Sequence, residues 1–311
     1  MFKELFTPQL LRATIRMTTP IILAALGGLL TYKAGIFNIA MEGMILVGAF
    51  SAVVGGYFLG NCWLGVIVAI LAVLLLSAIY GFFVVKLKSN EFIIGIAINI
   101  FANGITVYLL RAIFGVKGAF SSPEIPGLPD VSFPLLDKIG ILNTILNNHS
   151  IFIYLSWLFV LLIYILIYKT PLGIRIRAAG EYPEALETAG VSVSIIKYIT
   201  IILNGILCGF AGAHLSLGYL TLFTEGMSDG RGWIAVAAVI FGDGNPVVTF
   251  AITSLFGFTD GLAFLLQGLG IPDRFARIVP HFTVIFALFI VARRAVLKIA
   301  RKKREVIRKE T

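Results

Sequence analysis

The sequence predicts an all-α, polytopic membrane protein of about nine transmembrane helices, two of them broken or short. Three observations lead there. Of the 311 residues, 59% are hydrophobic and 13% are charged, about half the charged share of soluble domains. Apolar runs of roughly 17 to 24 residues recur along the chain, each long enough to cross a bilayer core as a helix. The lysines and arginines gather near the ends of those runs, where they set orientation.

The apolar segments fall at 10–33, 39–60, 63–86, 91–113, 150–169, 197–219, 232–242, 246–268 and 276–297. Lys3, Glu4 and Pro8 precede the first, without the small-residue cleavage pattern of a signal peptide. Asn38, Glu42 and several glycines interrupt the second. The seventh is too short to cross alone unless the polar run from Met227 to Arg231 enters the membrane with it. These two are the expected broken or re-entrant elements. The plan reads as four helices, one connector and four helices. Each group of four has a glycine-rich element second, Gly35 to Gly43 and Gly230 to Ala238. An odd offset between such groups inverts one against the other, which suits a transport pathway.

Between the fifth and sixth segments lies a polar island, residues 175–193. Pro183 suits a first helical position, Glu184 and Glu187 suit the positive end of a helix dipole, and Gly190 suits a left-handed terminus. The spacing predicts a helix over 183–189, too short to be stable alone in water. Tyr182, Ala185, Leu186 and Ala189 would share one small apolar face, shaped to enter a groove on a partner.

Charge gives the sidedness. Residues 293–311 carry nine basic residues against Glu305 and Glu310, a net of +7 out of the chain's +9. This basic tail, 295–311 in the main, is expected in the cytoplasm. Lys169, Arg175, Arg177 and Lys197 place the polar island on the same side, as do Lys86 and Lys88 for their short loop. The proline-rich loop 114–149 has two lysines against Glu124, Asp130 and Asp137, and is expected outside. Nine crossings then put the N-terminus outside, which Lys3, Arg12 and Arg16 oppose. Eight crossings, with one segment re-entrant, would put it inside.

Several polar residues stand inside apolar segments. Glu42 and Asn38 line a pathway, brace a broken helix, or meet Lys33 at the interface. Asn99 and Asn103 lie on one helix face and present amides to a polar solute or to a neighbouring helix. Asp229 and Arg231 precede a helix N-terminus, where they gate a pathway or cap the helix. Asp260 and Gln267 are seven apart on one face, and an acid at that depth needs a partner. His149, His214 and His281 form no metal spacing, and Cys62 and Cys208 read as packing residues. No GxxxxGK[ST] motif occurs, so the chain itself is not read as a P-loop ATPase.

Six blocks carry a resemblance: TPIILAALGG from Thr19, AGIFNIAMEGM from Ala34, GIAIN from Gly95, RAAGEYPEALETAG from Arg177, AGA from Ala211 and GRGWIAVAAVIFG from Gly230. In order and spacing they resemble the inner-membrane permease subunits of ABC importers. The match is to the family serving branched-chain amino acids, ribose-type sugars and nucleosides, and most to its nucleoside branch, linked to basic membrane proteins. It covers about residues 12–294. It implies one transmembrane domain over 1–311, without enzymatic chemistry, in a bacterial-type plasma membrane. It implies that Glu181, Tyr182, Pro183, Glu184, Ala185, Leu186, Ala189 and Gly190 form the coupling loop seated in an ATPase. Leu186 replaces the second alanine of the importers' EAA…G pattern. The implied partners are two ATP-binding subunits or one tandem ATPase, which hold the ATP and Mg. With them come a second homologous permease, an extracytoplasmic substrate-binding lipoprotein and membrane lipids. Nucleic acid is not an expected partner, and no cofactor is expected on this chain. Sugar or amino-acid import, and ion-coupled transport through Glu42 or Asp260, are the alternatives.

Overall fold

A computed structural model describes residues 8–134, 140–268 and 282–283. Seven described helices are long and apolar enough to cross a membrane. They are α1 (Pro8–Lys33), α2 (Met41–Leu59), α3 (Cys62–Gly81), α4 (Glu91–Phe114), α6 (Ile151–Lys169), α9 (Val193–Ala213) and α11 (Pro246–Gly268). Helices α3 and α9 each run on into a π-helical segment, Phe82–Lys86 and His214–Leu220. Shorter helices are α5 (Gly140–Leu146), α7 (Pro171–Glu181), α8 (Pro183–Thr188) and α10 (Arg231–Phe241). Eight of the nine expected segments are thus helical. The ninth, 276–297, and the basic tail, 295–311, lie outside the described residues.

Helix α1 is the axis of the bundle. In its most apolar window 78% of residues are buried, against 28% for α4 and α6. It tolerates this in part because Thr18 and Thr19 return their hydroxyls to the carbonyls of Thr14 and Ile15, which satisfies both within the helix. Small residues let its neighbours close in. Gly27 of α1 meets the backbone of Asn204 in α9, and Gly257 and Gly261 of α11 meet Thr18 and Thr14. Close backbone approach of this kind holds helices together where lipid supplies no hydrophobic drive. Helices α3, α4 and α6 turn Leu71, Leu75, Ile93, Ile100 and Leu161 outward, the surface expected to face lipid.

The contacts also orient the bundle. Arg12, near the start of α1, donates to the carbonyls of Thr144 and Asn148 at 3.1 and 2.7 Å. At the other end, Gly35 packs on Gly180. The start of α1 and the 114–149 loop therefore share one end of the molecule. Arg12 opposed that placement in the sequence, but its charge is spent closing the end of α5. At the opposite end Val84, Lys88, Glu187, Val193 and Lys197 line one depression, so the polar island and the 86–90 loop lie together.

The described residues of the 114–149 loop hold more regular structure than its prolines suggest. β1 (Ala119–Ser121) pairs antiparallel with β4 (Leu222–Thr224), and β2 (Asp130–Val131) pairs with β3 (His149–Ser150). Phe120 stacks on Phe114 with ring centroids 3.8 Å apart. The amide of Leu128 donates to the carbonyl of Leu217 at 2.9 Å.

Candidate functional site

Two interruptions of the helical pattern build the centre of the molecule. After Lys33 the chain leaves helix and runs without regular secondary structure to Ala40. Gly35 starts it at φ 74°, a left-handed conformation that glycine adopts without strain. The Phe37 amide donates to Glu91 Oε2 at 3.0 Å, Asn99 Nδ2 donates to the Ile39 carbonyl at 2.9 Å, and the Gly43 amide donates to Asn99 Oδ1 at 2.8 Å. Asn38 is buried and accepts the Ala40 amide at 2.9 Å. Ala40, just before α2, packs against Gly95 on the helix that carries Glu91, so α2 starts about 6 Å inside the level of Glu91. The break precedes α2 rather than interrupting it.

The second interruption runs the other way. After its π-helical end the chain forms β4, turns through 225–230 and enters α10 at Arg231. Helix α10 ends near Lys33, whose Nζ donates to the Asp243 carbonyl at 2.9 Å. Helices α2 and α10 therefore leave the centre in opposite directions, with their N-termini together. Lys33 does not meet Glu42, because that backbone carbonyl claims it.

Glu42, in the first turn of α2, joins the two. Its Oε1 accepts from Ser228 Oγ at 2.6 Å and from the Gly230 amide at 2.9 Å, and its Oε2 accepts from the Gly232 amide at 2.7 Å. A carboxylate thus caps the N-terminus of a helix on a distant part of the chain, where the helix dipole favours negative charge. A Cβ on Gly232 would collide with the backbone of Glu42, so only glycine admits this approach. The sequence marked both glycine-rich elements but not their meeting.

Beside this junction lies a cavity of about 470 Å³. It collects Asp229, Arg231, Asp260 and Gln267, four residues picked out from two separate parts of the sequence. Glu225, Tyr219, Thr224, Met17 and Phe264 also line it. Arg231 donates to the carbonyls of Met227 and Ser228 at 3.4 and 3.3 Å. Asp229 adopts φ 45° and Gly230 φ 80°, so a tight left-handed turn delivers Arg231 to the wall. Glu225 ties the wall to the outer loop: its Oε1 accepts the Gly118 amide at 3.1 Å and lies 3.6 Å from Arg111 Nη2. Glu225, Tyr219 and Thr224 escaped the sequence reading because a turn, a π-helical segment and a three-residue strand place them, and none of these leaves a periodic signal.

The remaining candidates lie elsewhere. Asn99 braces the first break, and Asn103, one turn on, is exposed on the outer face of α4. At the far end α8 begins with Pro183 at its first turn, and Gly190 follows at φ 77°. Glu181, Tyr182, Pro183, Glu184, Ala185, Ala189 and Gly190 are exposed, but Leu186 is buried at 6%. The face expected to serve a partner is therefore split: Leu186 anchors α8 to its own core, and Tyr182 stands out at 70% exposure. Helix α7 was not foreseen. Its signal is Thr170-Pro171, since Thr170 Oγ1 accepts the Gly173 amide at 3.1 Å and Pro171 occupies the first turn. Among the described residues no group of three His, Cys, Asp or Glu could hold a metal.

Residues 10–288 match the family described as the permease component of branched-chain amino acid transport systems. The chain belongs to this permease family. Among its relatives, a Haloferax volcanii protein provisionally named a glucose ABC transporter permease is 36% identical over 270 residues, 86% of this chain and 80% of its own. The guanosine ABC transporter permease NupQ of Bacillus subtilis is 31% identical over 294 residues, 89% of each chain. The nucleoside ABC transporter permease NupC of Lactococcus lactis is 31% identical over 286 residues, 88% of this chain and 89% of its own. The chain is thus a multi-pass ABC transporter permease subunit.

Proposed function

We propose that this permease carries nucleosides into the cell, through the cavity beside the Glu42 junction, by alternating access driven by partner ATPases. The observation that carries the reading is similarity over nearly the whole chain to permeases named for guanosine and nucleosides. The cavity supports it. Carboxylates, an arginine and an amide offer hydrogen bonds to a polar solute, and Tyr219 and Phe264 offer rings to a flat one. The Haloferax relative favours a second reading, glucose or a related sugar.

The rest of the assembly follows from the same proposal. The chain crosses a bacterial-type plasma membrane nine times as two inverted groups of four joined by α6, and the opposite directions of α2 and α10 support that plan. The N-terminus lies outside, and α7, α8 and the basic tail lie in the cytoplasm. Residues 181–190 seat in one of two ATP-binding subunits, or in half of a tandem ATPase, where ATP and Mg are held. A second permease completes the pathway, and an extracytoplasmic lipoprotein delivers the solute to the 114–149 end.

The test is uptake of labelled guanosine and of labelled glucose by cells expressing the complete transporter. Guanosine uptake that stops on ATP depletion and survives an uncoupler supports the proposal. Glucose uptake without guanosine uptake replaces it with the second reading.

A further inference from the structure

We propose that Glu42 is a positioning residue for transport, acting on the cavity through Arg231. Glu42 is not part of the cavity wall, but the groups it binds bracket one residue that is. Its three donors belong to Ser228, Gly230 and Gly232. Arg231, between the last two, faces the cavity. The turn that presents Arg231 carries two consecutive left-handed residues, Asp229 and Gly230. Asp229 in that conformation is uncommon and persists only where its surroundings hold it. Glu42 supplies the hold, with one oxygen on the turn and the other on the Gly232 amide in the first turn of α10.

The arginine's own bonds follow from this. Its guanidinium donates to Met227 and Ser228, both within the turn that Glu42 fixes, and lies 3.8 Å from Met17 Sδ in the central helix. Because Gly232 lets the two backbones touch, α2 and α10 meet without side-chain slack. Displacing the Glu42 carboxylate therefore moves the turn, and the turn moves the guanidinium. The inference concerns the same cavity as the transport proposal but stands on the tie itself.

The test uses the complete transporter in membranes, with Cys62→Ser as background, since Cys208 is buried. Glu42→Gln keeps the size but faces one of three donors with an NH2 group. Ser228→Ala removes a single bond and serves as the milder variant. Ile234→Cys, on the cavity wall one turn past Arg231, reports placement through its rate of reaction with a thiol reagent, scored per molecule of intact protein. Glu42→Gln should change that rate by about threefold or more, and Ser228→Ala less, in the same direction. Uptake should fall in Glu42→Gln and in Arg231→Gln at equal membrane amounts, and the double variant should be no worse than the poorer single one, as expected for residues acting in series. Losses that multiply in the double variant, an unchanged reaction rate, or normal uptake in Arg231→Gln each overturn the proposal. Absence of guanosine uptake in the unmodified transporter overturns the nucleoside reading instead, and the thiol rate still decides the role of Glu42.

Discussion

Gly232 shows how much can depend on a missing methyl group. Its α-carbon lies against the backbone of Glu42, with no room for a Cβ, and the Glu42 carboxylate spends one oxygen on the adjoining turn and the other on the Gly232 amide. Gly232→Ala must part α2 from α10 and leave the half-buried Glu42 carboxylate short of donors. Overpacking costs about 1–3 kcal/mol, and the weakened bonds to Glu42 add to it. The expected result is a clear drop in melting temperature and yield of the detergent-purified protein, greater than for alanine at exposed Gly190. His149, outside the membrane spans, gives a second prediction at this scale. Burial, then the charges of Arg12 and Arg16, push its pKa below the ordinary 6.5, against the opposing pull of the Ile145 carbonyl and Asp130. Its Nε2 bonds the Ile145 carbonyl at 2.7 Å, while Nδ1 is buried without a partner. The folded state therefore prefers the neutral ring. The stability this contributes is complete above the unfolded pKa of 6.5 and declines as pH falls from there toward the lowered folded value, by at most about 1.4 kcal/mol per pH unit. Melting curves between pH 7.5 and 5 should show that decline, and His149→Gln should lessen it.

At the scale of elements, periodicity made the membrane helices legible and stopped where periodicity stops. The expected and observed bounds of α1, α4 and α6 differ by two residues or fewer at each end, because uninterrupted apolar runs leave a chain in lipid little alternative to helix. Asp229, Arg231, Asp260 and Gln267 were legible one by one, since charge and amide groups are conspicuous in such runs. That they share a cavity was not, because it depends on a descent from β4 that only tertiary contacts define. The short helix α8 divides the same way: Pro183 and Gly190 foretold its ends, but not that Leu186 would turn inward. A six-residue helix has no stability of its own, so it needs Leu186 in the core and leaves Ala185 outside. Ala185→Arg should accordingly leave membrane amount and melting temperature nearly unchanged, within about 0.5 kcal/mol for an exposed site. It should reduce ATP-driven uptake severely. Unchanged uptake would remove α8 from the coupling surface.

For the whole molecule, the decisive quantity is which end faces the cell interior, and two independent arguments meet there. The contacts put the start of α1 with the 114–149 loop at one end, and the polar island with the 86–90 loop at the other. Charge then chooses between the two ways of placing this object in a membrane. Lys86, Lys88, Lys169, Arg175, Arg177 and Lys197 crowd one end, and basic residues near helix ends favour the cytoplasm. Of the three residues that argued the other way, Lys3, Arg12 and Arg16, Arg12 is bound to carbonyls of the loop helix and its flank, so it is a weak signal for orientation. In a Cys62→Ser background, Glu124→Cys should therefore react with a membrane-impermeant thiol reagent in intact cells. Thr188→Cys should react only after permeabilisation. Both side chains are exposed, so a failure to react cannot be laid to burial in this chain. Reaction of Thr188→Cys from outside would invert the molecule and, with it, the assignment of α8 to an ATPase.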